Sequence, residues 1–251
     1  MHHFFVSPEQ IGEEYVIIRG NDVNHIKNVL RMKADEKILV SNGLDKDFYC
    51  SIESIGDTEI KAKILDIDFE GTELPSKLYL FQGLPKADKM ELIIQKAVEL
   101  GAVQIIPVAT KRCVVKLDDK KEASKIKRWQ AISESAAKQS RRMIIPEVTG
   151  VMSFKEAIDR AKSMDIGIIP YENFKDMEET RKVLSNVDKG MDIGIFIGPE
   201  GGFEESEIQY AMDNGIRPIS LGKRILRTET AGLAILSVLM FSLEQNGSIF
   251  R

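Results

Sequence analysis

The stretch DIGIFIGPEGGFEESEIQYAMDNGIRPISLGKRILRTETAGLAILSVLM, residues 192–240, decides the reading of this chain. Asp192–Gly198 is an apolar run of strand length that ends in a glycine turn, and Glu204–Asn214 has helical spacing. Pro218–Gly222 reads as a further strand. Glu229–Glu244 then sets Leu236, Leu239, Met240 and Leu243 on one helical stripe. Working toward the N-terminus, the same rhythm continues. Lys77–Gly83, Val103–Val108 and Asp165–Pro170 read as strands. Between them, Asp88 with Glu91 forms a capping-box pattern ahead of a helix whose apolar face is Met90, Ile93, Ile94 and Ala97. A second helix, from about Glu122 to Ser140, turns Ile126, Trp129, Ile132 and Ala136 inward, and Ser153 with Glu156 caps a third. Alternating strands and helices predict an α/β domain with a largely parallel sheet, which takes its ligands at the carboxyl ends of the strands.

The first seventy residues read differently. Phe4–Val6, Tyr15–Ile18, Lys37–Val40, Phe48–Ile55 and Glu59–Ile67 are β-rich, with turn chemistry at Ser41-Asn42-Gly43 and Gly56-Asp57. Asp22 is placed to cap one helix over Asn24–Leu30. Short strands at close spacing predict a small barrel or sandwich. The stretch 69–75 breaks the pattern as a linker, so the expected domains are 1–72 and 73–251.

With 251 residues, 43% hydrophobic and 29% charged, the chain fits neither disorder nor a disulfide scaffold. Cys50 and Cys113 lack CxxC spacing. The start has no signal-peptide pattern, and the uncharged run 230–242 falls short of the ~20 residues of a membrane span, so a cytoplasmic protein is expected. The net charge of −4 argues against a nucleic-acid partner until it is divided by segment. Residues 1–72 hold 8 basic and 14 acidic residues, whereas Lys111–Arg142 holds eleven basic and four acidic. That second segment, ending in Gln139-Ser140-Arg141-Arg142, reads as a footprint for an anion such as a phosphate backbone.

Three constellations carry chemistry. In Ile197–Phe203 three glycines let backbone approach a ligand closely, yet Glu204, Glu205 and Glu207 leave the following helix start a poor phosphate site. Leu221–Gly232 runs from a strand end through mixed apolar and charged residues, where Ile225 and Leu226 could wall an adenine-sized pocket beside Arg227. The third, Gly83–Met90, places Lys86 and Lys89 around a helix cap. His2, His3 and His25 have no metal-ligand spacing, so no metal is expected. The absence of GxSxG, GxGxxG and GxxxxGK[ST] disfavours a covalent hydrolase, a dinucleotide-dependent oxidoreductase and a P-loop enzyme.

GLPKADKMELIIQKAVELGA (83–102), ESAAKQSRR (134–142), IGPEGGF (197–203), LGKRILRTETA (221–231) and HIKNVLR (25–31) resemble, in order, the ribosomal small-subunit RNA uridine-N3 methyltransferases. These form the RsmE family of the SPOUT superfamily. IGPEGG followed closely by LRTETA is the specific part of the likeness. Three positions depart from the family's usual pattern. His3 stands where an arginine is usual, Asn24 where the first of two histidines is usual, and Thr228 where alanine is common.

The resemblance implies a PUA-like β-barrel followed by a SPOUT α/β domain with a C-terminal trefoil knot, assembled as a homodimer. Its cofactor would be S-adenosylmethionine, held by Pro170, Ile197, Gly198, Pro199, Glu200, Gly201, Gly202, Leu221, Gly222, Ile225, Leu226 and Thr230. Its product would be N3-methyluridine in 16S rRNA of the assembled small subunit. Uracil N3 carries a proton near neutral pH. The expected catalytic pair is therefore Arg227, stabilising the uridinate, and Glu229, acting as base or orienting the arginine. His3, His25, Arg31, Lys86, Lys89, Lys111, Arg112, Gln139, Arg141 and Arg142 are the expected RNA contacts. The alternatives are another SPOUT enzyme acting on tRNA or a ribose 2′-hydroxyl, and a non-catalytic assembly factor that binds RNA.

Overall fold

The computed structural model describes residues 1–69, 71–115 and 117–244; Glu70 of the expected linker and Lys116 of the basic segment lie outside the described residues. The chain divides into two compact units, Met1–Glu73 with Ala137–Ile145, and Leu74–Ala136 with Pro146 onward.

The first unit is a five-stranded sheet built from β1 (His2–Phe5), β2 (Tyr15–Arg19), β3 (Lys37–Ser41), β4 (Asp47–Ile55) and β5 (Glu59–Asp68). Its strand order is β1-β3-β4-β5-β2, with β1 parallel to β3 and the remaining pairs antiparallel. Alternate residues face one core cluster, in which Phe4, Val16, Ile18, Ile38, Val40, Ile52 and Ile60 from all five strands meet. Register shifts at Tyr49/Cys50 and Ile52/Ser54 add local twist, and the sheet curls around that core. Burial pushes the Cys50 thiol up to about 12, which keeps it an inert apolar group.

The single predicted helix is instead a short turn, α1 (Asn21–Asn24), continued by a π-helical stretch, His25–Val29. Asp22 does not cap it. Gly20 at φ 78 leads the chain into the helix, and the Asp22 carboxylate accepts from Lys138 Nζ at 3.2 Å. The described part of the expected linker is packed rather than loose. Thr72 donates to Arg141 O at 2.6 Å, and Glu73 is bonded to Arg142 Nε at 2.8 Å and to Met143 N at 2.9 Å.

In the second unit the elements are β6 (Lys77–Gly83), α2 (Lys89–Glu99), β7 (Ala102–Ala109), α3 (Asp119–Ser140), β8 (Glu147–Val148) and β9 (Met152–Ser153). They continue with α4 (Phe154–Ala161), β10 (Ile166–Pro170), α5 (Met177–Ser185), β11 (Asp192–Ile197), α6 (Glu205–Asp213), β12 (Arg217–Ile219) and α7 (Thr228–Glu244). The division into units falls within α3, after Ala136. Every ladder is parallel, in the order β12-β10-β11-β6-β7-β8, as the alternation predicted.

Ser153 and Glu156 form the expected capping box. Asp88 makes no side-chain cap bond: Glu91 N donates to its carbonyl at 3.0 Å, and the Glu91 carboxylate pairs with Arg128 at 2.8 Å instead of closing a capping box. On α3, Trp129 and Ala136 are buried, while Ile126 and Ile132 are half-buried. Helix α5 was not foreseen, although Asp176 caps it by accepting from Glu178 N and Glu179 N. Among the described residues no helix is long and apolar enough to cross a membrane.

Candidate active site

The carboxyl ends of β10, β11 and β12 open into one cavity of ≈380 Å³, within the size range of small-molecule sites. It is lined from 170–172, 197–200, 202–203 and 220–228, with Lys89 and Ala231. The two sequence stretches expected to bind a cofactor therefore meet. Pro170, Ile197, Gly198, Pro199, Glu200, Gly202, Leu221, Gly222, Ile225 and Leu226 all line this space; Gly201 and Thr230 do not.

The loop after β11 is shaped by its backbone and pinned at several points. Gly202 has φ +66, a left-handed conformation in which its N–H closes a turn on Pro199 O at 2.9 Å. The Glu200 carboxylate accepts from Lys86 N at 3.1 Å and from Lys89 Nζ at 2.9 Å. Gly198 O accepts from the Thr228 hydroxyl at 2.6 Å, and that hydroxyl accepts in turn from Gln82 Nε2 at 2.9 Å. Gln82 is fully buried in β6, so this chain of bonds ties strand, loop and the start of α7 together. Sequence reasoning missed Gln82, although a glutamine inside the apolar strand KLYLFQG was the available signal. It also missed Tyr171, Glu172 and Ser220, which line the cavity from outside the stretches 197–203 and 221–232.

Charge in the cavity is unevenly satisfied. Lys89 stands between Glu200 Oε1 at 2.9 Å and Glu229 Oε2 at 3.4 Å. Its bond to Glu200 holds its pKa above the ordinary lysine value. Burial alone would raise the Glu200 carboxyl, but the Lys89 bond and backbone N–H donors outweigh it and hold the carboxyl below its ordinary value. Glu229 Oε2 is enclosed, without a hydrogen bond of good geometry, and residue 229 lies behind the lining. Arg227 is exposed on the wall and forms no hydrogen bond or ion pair with its side chain to any described residue. Glu229 therefore engages Lys89 and does not orient Arg227.

The expected RNA contacts separate into distinct groups. His25, Arg31, Lys86, Gln139 and Arg141 are exposed, Arg31 and Arg141 with left-handed backbone at φ 53 and 57. His3 is 7% exposed and bonded to Ser41 Oγ at 2.5 Å; burial pulls its pKa down to about 4, so the ring is neutral at pH 7. Arg142 is 3% exposed and bonded to Glu73. Lys89 lines the cavity instead. Lys111 and Arg112 are exposed but bonded to the loop and helix that follow β11. Among the described residues no group of three or more His, Cys, Asp or Glu could hold a metal ion.

Residues 72–240 match the model of the RNA methyltransferase domain, and 18–65 that of the RNA methyltransferase PUA domain. The chain is 37% identical to ribosomal RNA small subunit methyltransferase E of Bacillus subtilis (strain 168), over 97% of this chain and 98% of that protein. With the enzyme of the same name from Mesomycoplasma hyopneumoniae (strain 232), identity is 35% over 94% of this chain and 98% of the relative. A solved structure of the Neisseria gonorrhoeae ribosomal RNA small subunit methyltransferase E, bound to S-adenosyl methionine, superposes with a TM-score of 0.84. That pair shares 33% identity, covering 96% of this chain and 97% of that one. With a parallel α/β sheet, a curled N-terminal sheet and likeness along almost its whole length, this chain belongs to the RNA methyltransferase family of the ribosomal RNA small subunit methyltransferases E.

Proposed function

We propose that this protein transfers a methyl group from S-adenosylmethionine to N3 of one uridine in the 16S rRNA of the small ribosomal subunit. The observation that carries the reading is an unpaired arginine, Arg227, on the wall of a cavity bounded by the 197–203 and 220–228 segments. The cavity suits the cofactor's chemistry. Ile197, Leu221 and Leu226 offer apolar surface to an adenine, and Glu172 and Glu200 offer carboxylates to its cationic centres. Pro170, Gly198, Gly202, Gly222 and Ile225 would complete the hold, while Gly201 and Thr230 stand outside the lining. When bound, S-adenosylmethionine supplies an already activated methyl group, so no Lewis acid is called for.

The protein's task is then to make N3 nucleophilic and to hold it in line. Arg227 and Lys89 present two positive charges to the cavity, where they would stabilise the anion that forms as the N3 proton passes to solvent. Glu229 supports this by fixing Lys89 from behind, and the enclosed position of its Oε2 favours that role over proton abstraction. The Glu200 bond keeps Lys89 protonated. Alignment of the two reacting atoms at about 3–3.5 Å provides the rest of the acceleration.

The same reading extends to assembly. A deep trefoil knot is supported by the course of 220–228 beside the 198–202 loop, with Thr228 bonded to Gly198 O. A homodimer is supported by Leu92, Val238 and Phe241, exposed apolar residues on the contacting helices α2 and α7. A cytoplasmic location follows from an rRNA substrate. Methyl transfer to small subunits that lack the modification, compared with naked rRNA and large subunits, tests the proposal. Mass-spectrometric mapping should find N3-methyluridine at one site, and a 2′-O-methylated or tRNA product would refute it.

A further inference from the structure

The two cations that open the basic segment do not reach outward as phosphate contacts would. Arg112 Nη1 donates to Gly201 O at 2.8 Å, and Gly201 is the one residue of 197–203 that does not face the cavity. Lys111 uses both its ends. Its backbone N–H donates to Glu207 Oε1 at 2.9 Å, while its ammonium donates to Ser206 Oγ at 2.9 Å and lies 3.3 Å from Glu204 Oε2. Glu207 is only 4% exposed, and its second oxygen accepts from Glu204 N at 2.9 Å, so a buried carboxylate joins the two segments with both oxygens occupied. The approach is close. A Cβ on residue 201 would stand 3.3 Å from Arg112 Cβ, tighter than ordinary van der Waals contact.

On its other flank the same loop is held through Glu200, which takes Lys86 N–H and the Lys89 ammonium. A glycine-rich loop pays a large ordering entropy when it must be fixed on binding, and a scaffold that fixes it beforehand removes that cost. We infer that Lys111 and Arg112 are positioning residues for the cofactor loop, clasping 201–207 so that the cavity wall is formed before its ligand arrives. The inference rests on the functional reading above for the identity of that ligand, S-adenosylmethionine. It removes both residues from the RNA contacts.

The test compares the unmodified protein with Arg112→Ala, Arg112→Lys and Glu207→Gln. Amide hydrogen exchange across 199–207 is followed without ligand, S-adenosylmethionine binding by calorimetry, and the salt dependence of small-subunit rRNA binding by titration. Arg112→Ala should exchange faster across the loop and bind S-adenosylmethionine about tenfold more weakly, with an unchanged salt slope. Arg112→Lys, which keeps one donor, should recover most of that loss. Glu207→Gln turns an amide N–H₂ toward one of two N–H donors and should loosen the same amides even if Arg112→Ala folds poorly. Unchanged exchange in both Arg112→Ala and Glu207→Gln overturns the clasp whatever the ligand does. A fall of about 0.7–0.9 in the salt slope with unaltered S-adenosylmethionine affinity also overturns it and makes Arg112 a phosphate contact. Failure of the wild-type chain to bind S-adenosylmethionine sinks the functional reading instead, and with it the role given to the clasp.

Discussion

Two cationic stretches invite comparison, Lys111–Arg142 and Lys223–Arg227. The first is by far the richer in basic residues, yet six of its ten described cations are already occupied. Lys111 has Ser206 and Glu204, Arg112 has Gly201 O, Lys121 has Asp118, Arg128 has Glu91, Lys138 has Asp22 and Arg142 has Glu73. In the second stretch Lys223, Arg224 and Arg227 are exposed, line the cavity, and have no side-chain partner among the described residues. Charge density along a sequence counts cations; only the fold tells which of them have already found an anion. The unpaired minority is where an incoming polyanion gains most, since no existing pair must be broken first.

The strongest attack on this comparison is Arg227→Ala. Removing the guanidinium proposed to stabilise the uridinate should lower kcat by about 10²–10³ while leaving S-adenosylmethionine affinity within a few-fold, measured by single-turnover methyl transfer and calorimetry. A rate near wild type would end its catalytic assignment. Next comes His3, placed by sequence among the RNA contacts and by the fold among buried neutral groups. Its folded pKa of about 4 lies below the ordinary 6.5, chiefly because burial disfavours the charged ring. The unfolded chain therefore binds the extra proton first as pH falls. Its contribution is full above about pH 6.5 and is lost toward pH 4, amounting to roughly 3 kcal/mol across that window. Denaturant unfolding of His3→Gln at stepped pH should lose this part of the slope, and an unaltered slope would return His3 to the surface group.

A smaller effect sharpens the contrast directly. Lys223→Ala with Arg224→Ala should reduce the salt slope of rRNA binding by about 1.4–1.8, whereas Lys121→Ala with Arg128→Ala, both paired, should leave it unchanged. Equal slopes for the two double variants would collapse the distinction. The smallest effect is expected at the cavity's floor. Thr228→Ala takes the partner from one Gln82 N–H, the other still bonded to Gly83 O, and from Gly198 O, and should cost about 1–2 kcal/mol in chemical unfolding, with little change in rRNA affinity.

Period and punctuation made much of the second unit readable. Strand Lys77–Gly83 was placed to the residue, and the 197–203 and 221–228 stretches, expected to share one ligand, do share one cavity. What sequence could not supply was pairing at a distance. Arg128 finds Glu91 and Lys138 finds Asp22 only once the chain has folded, across 37 and 116 residues. Asp22 and Asp88 likewise carry cap chemistry, but at positions where no backbone N–H of the following helix reaches the carboxylate. Glu229 stands out in the sequence, but its partner, Lys89, lies on another helix and is not marked there.

The Gln82–Thr228 bond has a consequence for how relatives of this chain diverge. The two positions are 146 residues apart and carry no mutual signal along the sequence. A buried amide whose acceptor is deleted pays for an unmet hydrogen bond, so a lineage that places alanine at 228 is under pressure to replace the glutamine at 82, and the reverse substitution restores the need for it. Positions 82 and 228 should therefore drift as a pair, leaving in the family's history a record of contact that neither position carries alone.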